Sequence, residues 1–477
     1  MKGDEPGANQ SPVFRSRIFY PMSLIQIVLK NNLILRGLSE EIRKILMEQL
    51  TVPNPRWLEN ARMGRWNRST PRTLRYYRKL PKCGIRIPRG YLRQLILFFR
   101  KNGIRYQLDD RRRVLREIEF SFSGELKPFQ EIAVNTMLSK DFGTLSAPTG
   151  SGKTVMGMYM LARRRQPALI VVHTRDLAYQ WMSRIETFLG IPEEEIGLIG
   201  GGKMRVGEAV TVALVQSLYK IAADIAKKTG FIIVDECHRC PSRTFTEAVT
   251  HFDSRYMLGL SATPWRRDKL SRLIFWHLGD VHHEIQSRQL VNTGDILSVD
   301  IQFKETNFTP YFDPVNDYSR MLSELTADDE RNRQIADDVA GQALDSPGTT
   351  LVLSDRKKHC ETLWSLIKYR NDAACEFLTG DLSEQRRKDI IDRLNRGRIK
   401  ILIATGQLIG EGFDCPNLST LFLVTPVRFS GRVLQYIGRV LRPAPGKKKA
   451  VIYDYIDVNV EVLVSAAKAR QRVYGKL

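Results

Sequence analysis

The stretch "APTGSGKT", residues 147 to 154, follows a short apolar run and opens a helix-length segment. Gly150 and Gly152 free the backbone to curl, so that successive N–H groups converge on phosphate oxygens. Ser151 belongs to the same cradle, Lys153 supplies charge for the outer phosphates of a nucleotide, and Thr154 offers a hydroxyl to Mg²⁺. Further on, "FIIVDECHR" ends an apolar run in two carboxylates. Such a pair is costly unless it has work to do; Asp235 suits a Mg²⁺ shell, and Glu236 suits positioning and polarising a water. The chemistry this set allows is phosphoryl transfer from ATP to water. A third feature, "QYIGRVLRPAPGKKK" at 435 to 449, spaces Arg439 and Arg442 for one helix face.

The elements that would carry these residues follow from hydrophobic patterning. "GTLSAP", "ALIVVH", "TVALV", "FIIVD" and "YMLGLSAT" come in turn between 143 and 263, separated by helix-length segments. "TTLVLS", "CEFLTG", "KILIAT", "TLFLVT" and "AVIYDYI" repeat the pattern between 349 and 456. Continuous apolar runs alternating with helices predict parallel sheets buried on both faces. Two α/β lobes joined through roughly 285 to 345 fit better than one very wide sheet. Ligands of such sheets bind outside the carboxyl ends of the strands, which is where the distinctive residues fall.

The chain has 477 residues, enough for two or three domains, and a formal charge of +22. That charge calls for a polyanionic partner. Residues 1 to 122 carry 26 Lys and Arg against 10 Asp and Glu, or +16 of the total. The six cysteines show no disulfide-framework spacing, consistent with a reduced interior. "CHRC" at 237 to 240 lacks a second CxxC to complete a zinc site. The apolar run "IFYPMSLIQIVL" at 18 to 29 contains Pro21 and Gln26 and no small-residue cleavage site, so it does not read as a signal peptide. No segment is long and apolar enough for a membrane span, and a cytoplasmic, nucleoid-associated protein is expected.

With "DECH" in its place, "SATP" at 261 to 264, "GEGFD" at 410 to 414 and "QYIGRVLR" at 435 to 442, the chain resembles the superfamily 2 helicases and translocases over about 123 to 457. The resemblance implies two tandem RecA-like lobes and dependence on ATP and Mg²⁺. It makes Cys237 the variable third letter of the DExH box. "KPFQ" is similar to the Q motif, which would set Gln130 on the adenine edge. Ser261 and Thr263 would couple hydrolysis to movement, and Gly410 and Asp414 would touch the nucleotide from the second lobe. Gln435, Arg439 and Arg442 would face the γ-phosphate, the arginines as fingers on developing charge. Nucleic acid would be held by Thr174 and Arg175, Gln216 and Ser217, Arg356, Thr379 and Gly380, and Thr405, small groups suited to a phosphate backbone. "TPWRRD" partly resembles the Arg-Glu-Asp motif of XPB-like helicases, with Arg267 in place of Glu.

The basic leader predicts a capped helix over 39 to 50, hairpin-like turn residues within 62 to 80, a helix from Pro88 to Gly103 and a strand at "IRYQL". In it Trp57, Trp66, Tyr76 and Tyr77 interleave with arginines that include Arg65 and Arg75. Rings stacking on exposed bases, with arginines on phosphates, is one reading; a small aromatic core under a solvated basic face is the other. The order of these elements is similar to the front domain of phage UvsW-type helicases. Together these features predict a basic α+β nucleic-acid-binding domain (1–122), an ATP-binding lobe (123–287) and a second lobe (288–477). The function expected is ATP-driven remodelling of branched or distorted DNA, RNA:DNA hybrids included, in recombination or repair, alone or with protein partners. A duplex-DNA translocase motor of a defence or restriction complex and an ATP-switched clamp are the alternatives. Deleting the leader is expected to spare much of the ATPase on plain DNA.

Overall fold

The structure, a computed structural model, describes residues 24 to 475 apart from 240–242, 263–270, 347, 371–373, 411–414, 416 and 428–429. The five apolar runs of the first set become strands Phe142–Ser146, Ala168–Val172, Val210–Leu214, Phe231–Val234 and Tyr256–Ser261. They lie side by side, all parallel, in the order 210–214, 168–172, 231–234, 256–261, 142–146. Every residue of Ala168–Val172 and Val210–Leu214 is buried, as unbroken apolar runs require when helices cover both faces. Strands Gly197–Gly200, Lys203–Arg205 and Val281–Glu284 widen this sheet to eight.

The second set forms a six-stranded sheet, all parallel, in the order 299–306, 450–457, 418–423, 349–354, 401–405, 375–378. The stretch expected only to join the lobes supplies its edge strand, Val299–Thr306, and helix Asp329–Asp345. Arg331 of that helix donates from Nε to Asp457 Oδ1 at 2.7 Å, both side chains about 1% exposed. This paired buried charge pins the helix to the sheet. The edge strand reads "VDIQFKET", largely half-exposed, and so lacks the continuous apolar signature.

The leader builds a third sheet in the order 78–79, 85–88, 32–36, 25–29, 106–110. Helix Glu40–Gln49 starts where expected, with Ser39 Oγ accepting from the Ile42 N–H at 3.3 Å. The second helix starts later than expected: Pro88 ends a strand, Arg89–Tyr91 is a 3₁₀ turn and the α-helix is Leu92–Lys101. The basic-aromatic stretch makes no hairpin of its own. Thr73–Arg75 pairs with Thr51–Pro53, and Arg78–Lys79 with Ile85–Pro88.

This leader is not free-standing. Its apolar core continues into Leu273 and Trp276 of helix Ser271–Leu278, and the Tyr76 and Tyr91 rings lie 5.4 and 6.3 Å from Trp276. Arg89, 2% exposed, donates to the Ser254 carbonyl at 2.7 Å, and burial lowers its pKa to about 9. Arg112 joins Asp110 and Asp141, Arg113 joins Asp253, and Arg93 and Gln94 share Asp280. Packing therefore argues against a freely removable module: excision would expose Leu273 and Trp276 and leave Asp253 and Asp280 without their arginine partners from the leader.

Gly90 sits where backbones meet; a Cβ there would lie 2.2 Å from the Phe275 carbonyl oxygen and 2.7 Å from the Gly279 nitrogen. Backbone cannot yield as a side chain does, so Gly90→Ala is expected to lower unfolding free energy by about 3 kcal/mol. Denaturant titration checks this, and limited proteolysis should then cut between leader and sheet.

Candidate functional site

Strand Phe142–Ser146 runs into the glycine-rich turn and then helix Lys153–Arg164. Gly150 and Gly152 take φ of +90° and +82°, left-handed values that aim the loop N–H groups at one point before the helix amino terminus. Lys153 Nζ folds back onto the carbonyls of Ala147 and Pro148 at 3.0 and 3.3 Å. Ser151 turns inward, its hydroxyl donating to the Pro148 carbonyl at 2.7 Å. Thr154 stands half-buried in the first helical turn. Gln130, 5% exposed, donates to the Ser151 carbonyl at 2.9 Å and accepts from the Lys127 N–H at 2.9 Å. It braces the loop from below, which the sequence did not suggest.

The carboxylates stand at the end of Phe231–Val234, which strand Tyr256–Ser261 separates from Phe142–Ser146. Asp235, 6% exposed, accepts at Oδ1 from the Glu236 N–H at 2.9 Å and at Oδ2 from Trp181 Nε1 at 2.8 Å. Burial, then the adjacent Glu236 charge, pushes its pKa up to about 6. Glu236 has φ of +48°, a strained position for a residue with a side chain. Its Oε2 lies 3.1 Å from His238 Nδ1, which lies 3.1 Å from the Ser261 hydroxyl. The Ala147 N–H in turn donates to the Ser261 carbonyl at 2.9 Å. Phosphate loop, acidic pair and "SAT" segment thus form one connected network. Cys237 is fully buried and its thiol pKa is raised, a core residue and not a ligand. Among the described residues no cluster of His, Cys, Asp and Glu is suited to a structural metal; Cys240 and Thr263 lie outside them.

The arginine-bearing helix of the second lobe closes over this loop. A Cβ on Gly150 would lie 3.8 Å from the Gly438 carbonyl oxygen and 3.9 Å from Arg442 Cγ. The Leu297 N–H donates to the Leu441 carbonyl at 2.9 Å, and Lys127 pairs with Asp295 at 2.5 Å. Arg439 is 9% exposed in the last turn of Ser430–Val440. Arg442 does not share its helix face as expected. The helix ends at Val440, because Pro443 biases the preceding residue away from the helical region. Gln435 and Gly410 lie in helices of this lobe, and Asp414 falls outside the described residues.

The expected nucleic-acid residues gather at strand ends. Strands 168–172 and 210–214 pair in register, so Thr174 and Arg175 stand beside Gln216 and Ser217, and Gln216 donates to the His173 carbonyl at 3.2 Å. Thr174 caps helix Arg175–Leu189, its hydroxyl accepting from the Leu177 N–H at 3.3 Å. In the other sheet, Arg356, Thr405 and Thr379 follow three adjacent strands, with Gly380 exposed and Thr379 3% exposed. Arg356 meets the Ser319 hydroxyl at 3.3 Å. Trp66 is 79% exposed, with Arg65 and Arg75 also exposed.

Residues 123–266 match the family model described as type III restriction enzyme, res subunit, and residues 334–444 match the helicase conserved C-terminal domain. The chain belongs to superfamily 2 of the helicases. It is a nucleic-acid-dependent ATPase of that superfamily. L396 of Acanthamoeba polyphaga mimivirus, provisionally named an ATP-dependent RNA helicase, is 27% identical over 370 residues, 75% of this chain and 69% of that protein. DNA 3'-5' translocase XPB2 of Sulfurisphaera tokodaii is 26% identical over 350 residues, 67% of this chain and 79% of that protein. The crystal structure of T4 UvsW aligns over 95% of this chain and 97% of that chain at 19% identity, with a TM-score of 0.44. Among the described residues, no helix of this superfamily 2 protein is long and apolar enough to cross a membrane.

The position of Asp235 carries a pH signature. The native carboxyl keeps its proton up to about pH 6, the unfolded one only to 3.8, so the native state binds more protons between those values. Stability must then fall as pH rises through that window. In Mg²⁺-free buffer the unfolding free energy of wild type relative to Asp235→Asn is expected to drop by about 2 kcal/mol from pH 4 to pH 6 and to level off above about pH 7. Denaturant melts at stepped pH measure this, and a flat difference would refute the assignment.

Proposed function

We propose that the protein is an ATP- and Mg²⁺-dependent DNA helicase or translocase that remodels branched or distorted DNA. Residues 1–122 would be its basic nucleic-acid-binding domain, 123–287 its ATP-binding lobe and 288–477 its second lobe. The observation that carries the substrate reading is Trp66. It is 79% exposed, whereas Trp57, Tyr76 and Tyr77 are partly buried. Around it Arg56, Arg62, Arg65, Arg68, Arg72, Arg75, Arg78 and Lys79 are all exposed. A bare indole among solvated cations suits stacking on an unpaired or terminal base while the arginines hold phosphates. The similarity to XPB2, a DNA translocase by name, supports DNA as the polymer.

In this reading the N–H groups of Gly150, Ser151 and Gly152 hold the nucleotide's phosphates, and Lys153 swings from its carbonyl contacts to the outer ones. Thr154 and Asp235 fit a Mg²⁺ shell: one is a hydroxyl at a helix start, the other a buried carboxylate whose oxygens are already oriented. Mg²⁺, when bound, neutralises charge developing on the transferred phosphoryl group. Glu236 orients the attacking water, and Gln130 contributes to the adenine edge. Gly410, Asp414, Gln435, Arg439 and Arg442 act from the second lobe, so productive geometry requires both lobes together. Thr174, Arg175, Gln216 and Ser217 grip the phosphate backbone from one lobe, and Arg356, Thr379, Gly380 and Thr405 from the other. Ser261 and Thr263 link the two events.

A second reading, a duplex-DNA translocase serving a restriction complex, is favoured by the match to a restriction-enzyme subunit. ATPase rates at fixed low salt on single strand, blunt duplex, four-way junction, RNA hairpin and RNA:DNA hybrid separate the two readings. Highest stimulation by the junction or hybrid supports the proposal, and equal stimulation by blunt duplex supports the second reading.

Lys153→Ala is expected to abolish turnover on every substrate in that panel. Trp66→Ala is expected to weaken junction binding about tenfold, the loss of one stacked base, with little change on blunt duplex. Equal junction affinity in the variant would overturn the role of Trp66.

A further inference from the structure

Trp181 lies in helix Arg175–Leu189, two turns or about 10 Å from Thr174 and Arg175 at its amino end. It is 1% exposed, and its single polar atom, the indole N–H, donates to Asp235 Oδ2 at 2.8 Å. An indole nitrogen can only donate, so the bond orients the carboxylate as well as satisfying the tryptophan. The same ring packs on the helix that leaves the phosphate loop: a Cβ on Gly157 would lie 3.1 Å from Trp181 Cη2. One side chain therefore touches the phosphate-loop helix and the proposed Mg²⁺ carboxylate, and it is carried on the helix whose start is placed to meet nucleic acid.

We propose that Trp181 is a positioning residue that transmits nucleic-acid binding at Thr174 and Arg175 to the Asp235 carboxylate. This rests on the motor reading above. A phosphate engaged at the helix start tilts or shifts the helix as a rigid rod, and the indole two turns along moves with it. The indole swings Oδ2, and with it the direction in which the carboxylate's remaining lone pairs face the cleft. A plain core role would also need a partner for the buried N–H, so the coupling between the two ligands, and not the 2.8 Å bond alone, separates the two roles. Linkage makes the transmission reciprocal: nucleotide held at the carboxylate must also alter the grip on nucleic acid.

The test is a thermodynamic cycle on the full chain. Affinity for a four-way DNA junction is measured by anisotropy with and without Mg²⁺ and adenylyl imidodiphosphate, in wild type, Trp181→Phe and Gly157→Ala. In wild type the nucleotide should change junction affinity by ~5-fold or more. In Trp181→Phe, which keeps a ring and loses the donor, the change should fall to under ~2-fold, while the junction alone binds within ~2-fold of wild type. Gly157→Ala crowds the indole in a helix that alanine favours over glycine, so reduced coupling there cannot come from lost helix stability. It carries the test if Trp181→Phe does not fold. Wild-type coupling retained in the folded variants overturns the proposal; wild type without any coupling removes the motor reading beneath it.

Discussion

Two adjacent carboxylates at the end of a buried strand repel each other in a medium that screens poorly, and Asp235 and Glu236 occupy that position. Burial alone would neutralise Asp235, yet the Glu236 N–H and the Trp181 indole each hold one of its oxygens. The site is thus poised: a proton or a cation relieves it, and Lys153 is near enough to lower the Asp235 pKa. The strained Glu236 backbone belongs to the same economy, since φ of +48° persists only where surrounding contacts over-determine it. His238 and Ser261 supply those contacts.

The placement of the leader decides what moves with what. Arg89, Gly90 and the ring of Trp276 weld it to the same body as the phosphate loop, through backbone carbonyls and shared apolar surface. Any hinge between nucleotide-bound and free states must therefore lie beyond residue 284, near the Lys127–Asp295 pair and the Leu297–Leu441 bond. The exposed Trp66 face then moves as one with Thr174 and Arg175, while Arg356 and Thr405 move with the second sheet. Under the proposed function, opening and closing would change the distance between the two sets of residues proposed to grip one polymer, which is the geometric requirement for translocation.

Both parallel sheets and the phosphate loop could be read from sequence because unbroken apolar runs and a left-handed glycine pair are strong local signals. Asp235, Lys153 and Thr154 stand where local pattern placed them. What escaped was non-local. Nothing in the spacing of Trp181 foretells a bond to a residue 54 positions away. Gln130 stood out as part of "KPFQ", but its brace on Ser151 did not. Strand Val299–Thr306 hid as a half-exposed edge. The leader's union with Leu273 and Trp276 was invisible for the same reason: an apolar stripe does not name what covers it.

The arginine turn shows how a small local rule shapes the cleft. Pro443 stops the helix at Val440, leaving carbonyls without helical partners. Lys447 Nζ donates to the carbonyls of Val440 and Arg442, the latter at 2.8 Å, and burial lowers its pKa to about 8. A cation at a helix carboxyl end is favoured by the helix dipole as well as by the bonds. Arg442 is consequently held by its own main chain, not by helical continuation, and its side chain leaves the turn toward Gly150. A helix running one turn further would have stacked Arg442 on the Arg439 face. The proline break separates them, leaving Arg439 buried within the helix and Arg442 beside the phosphate loop.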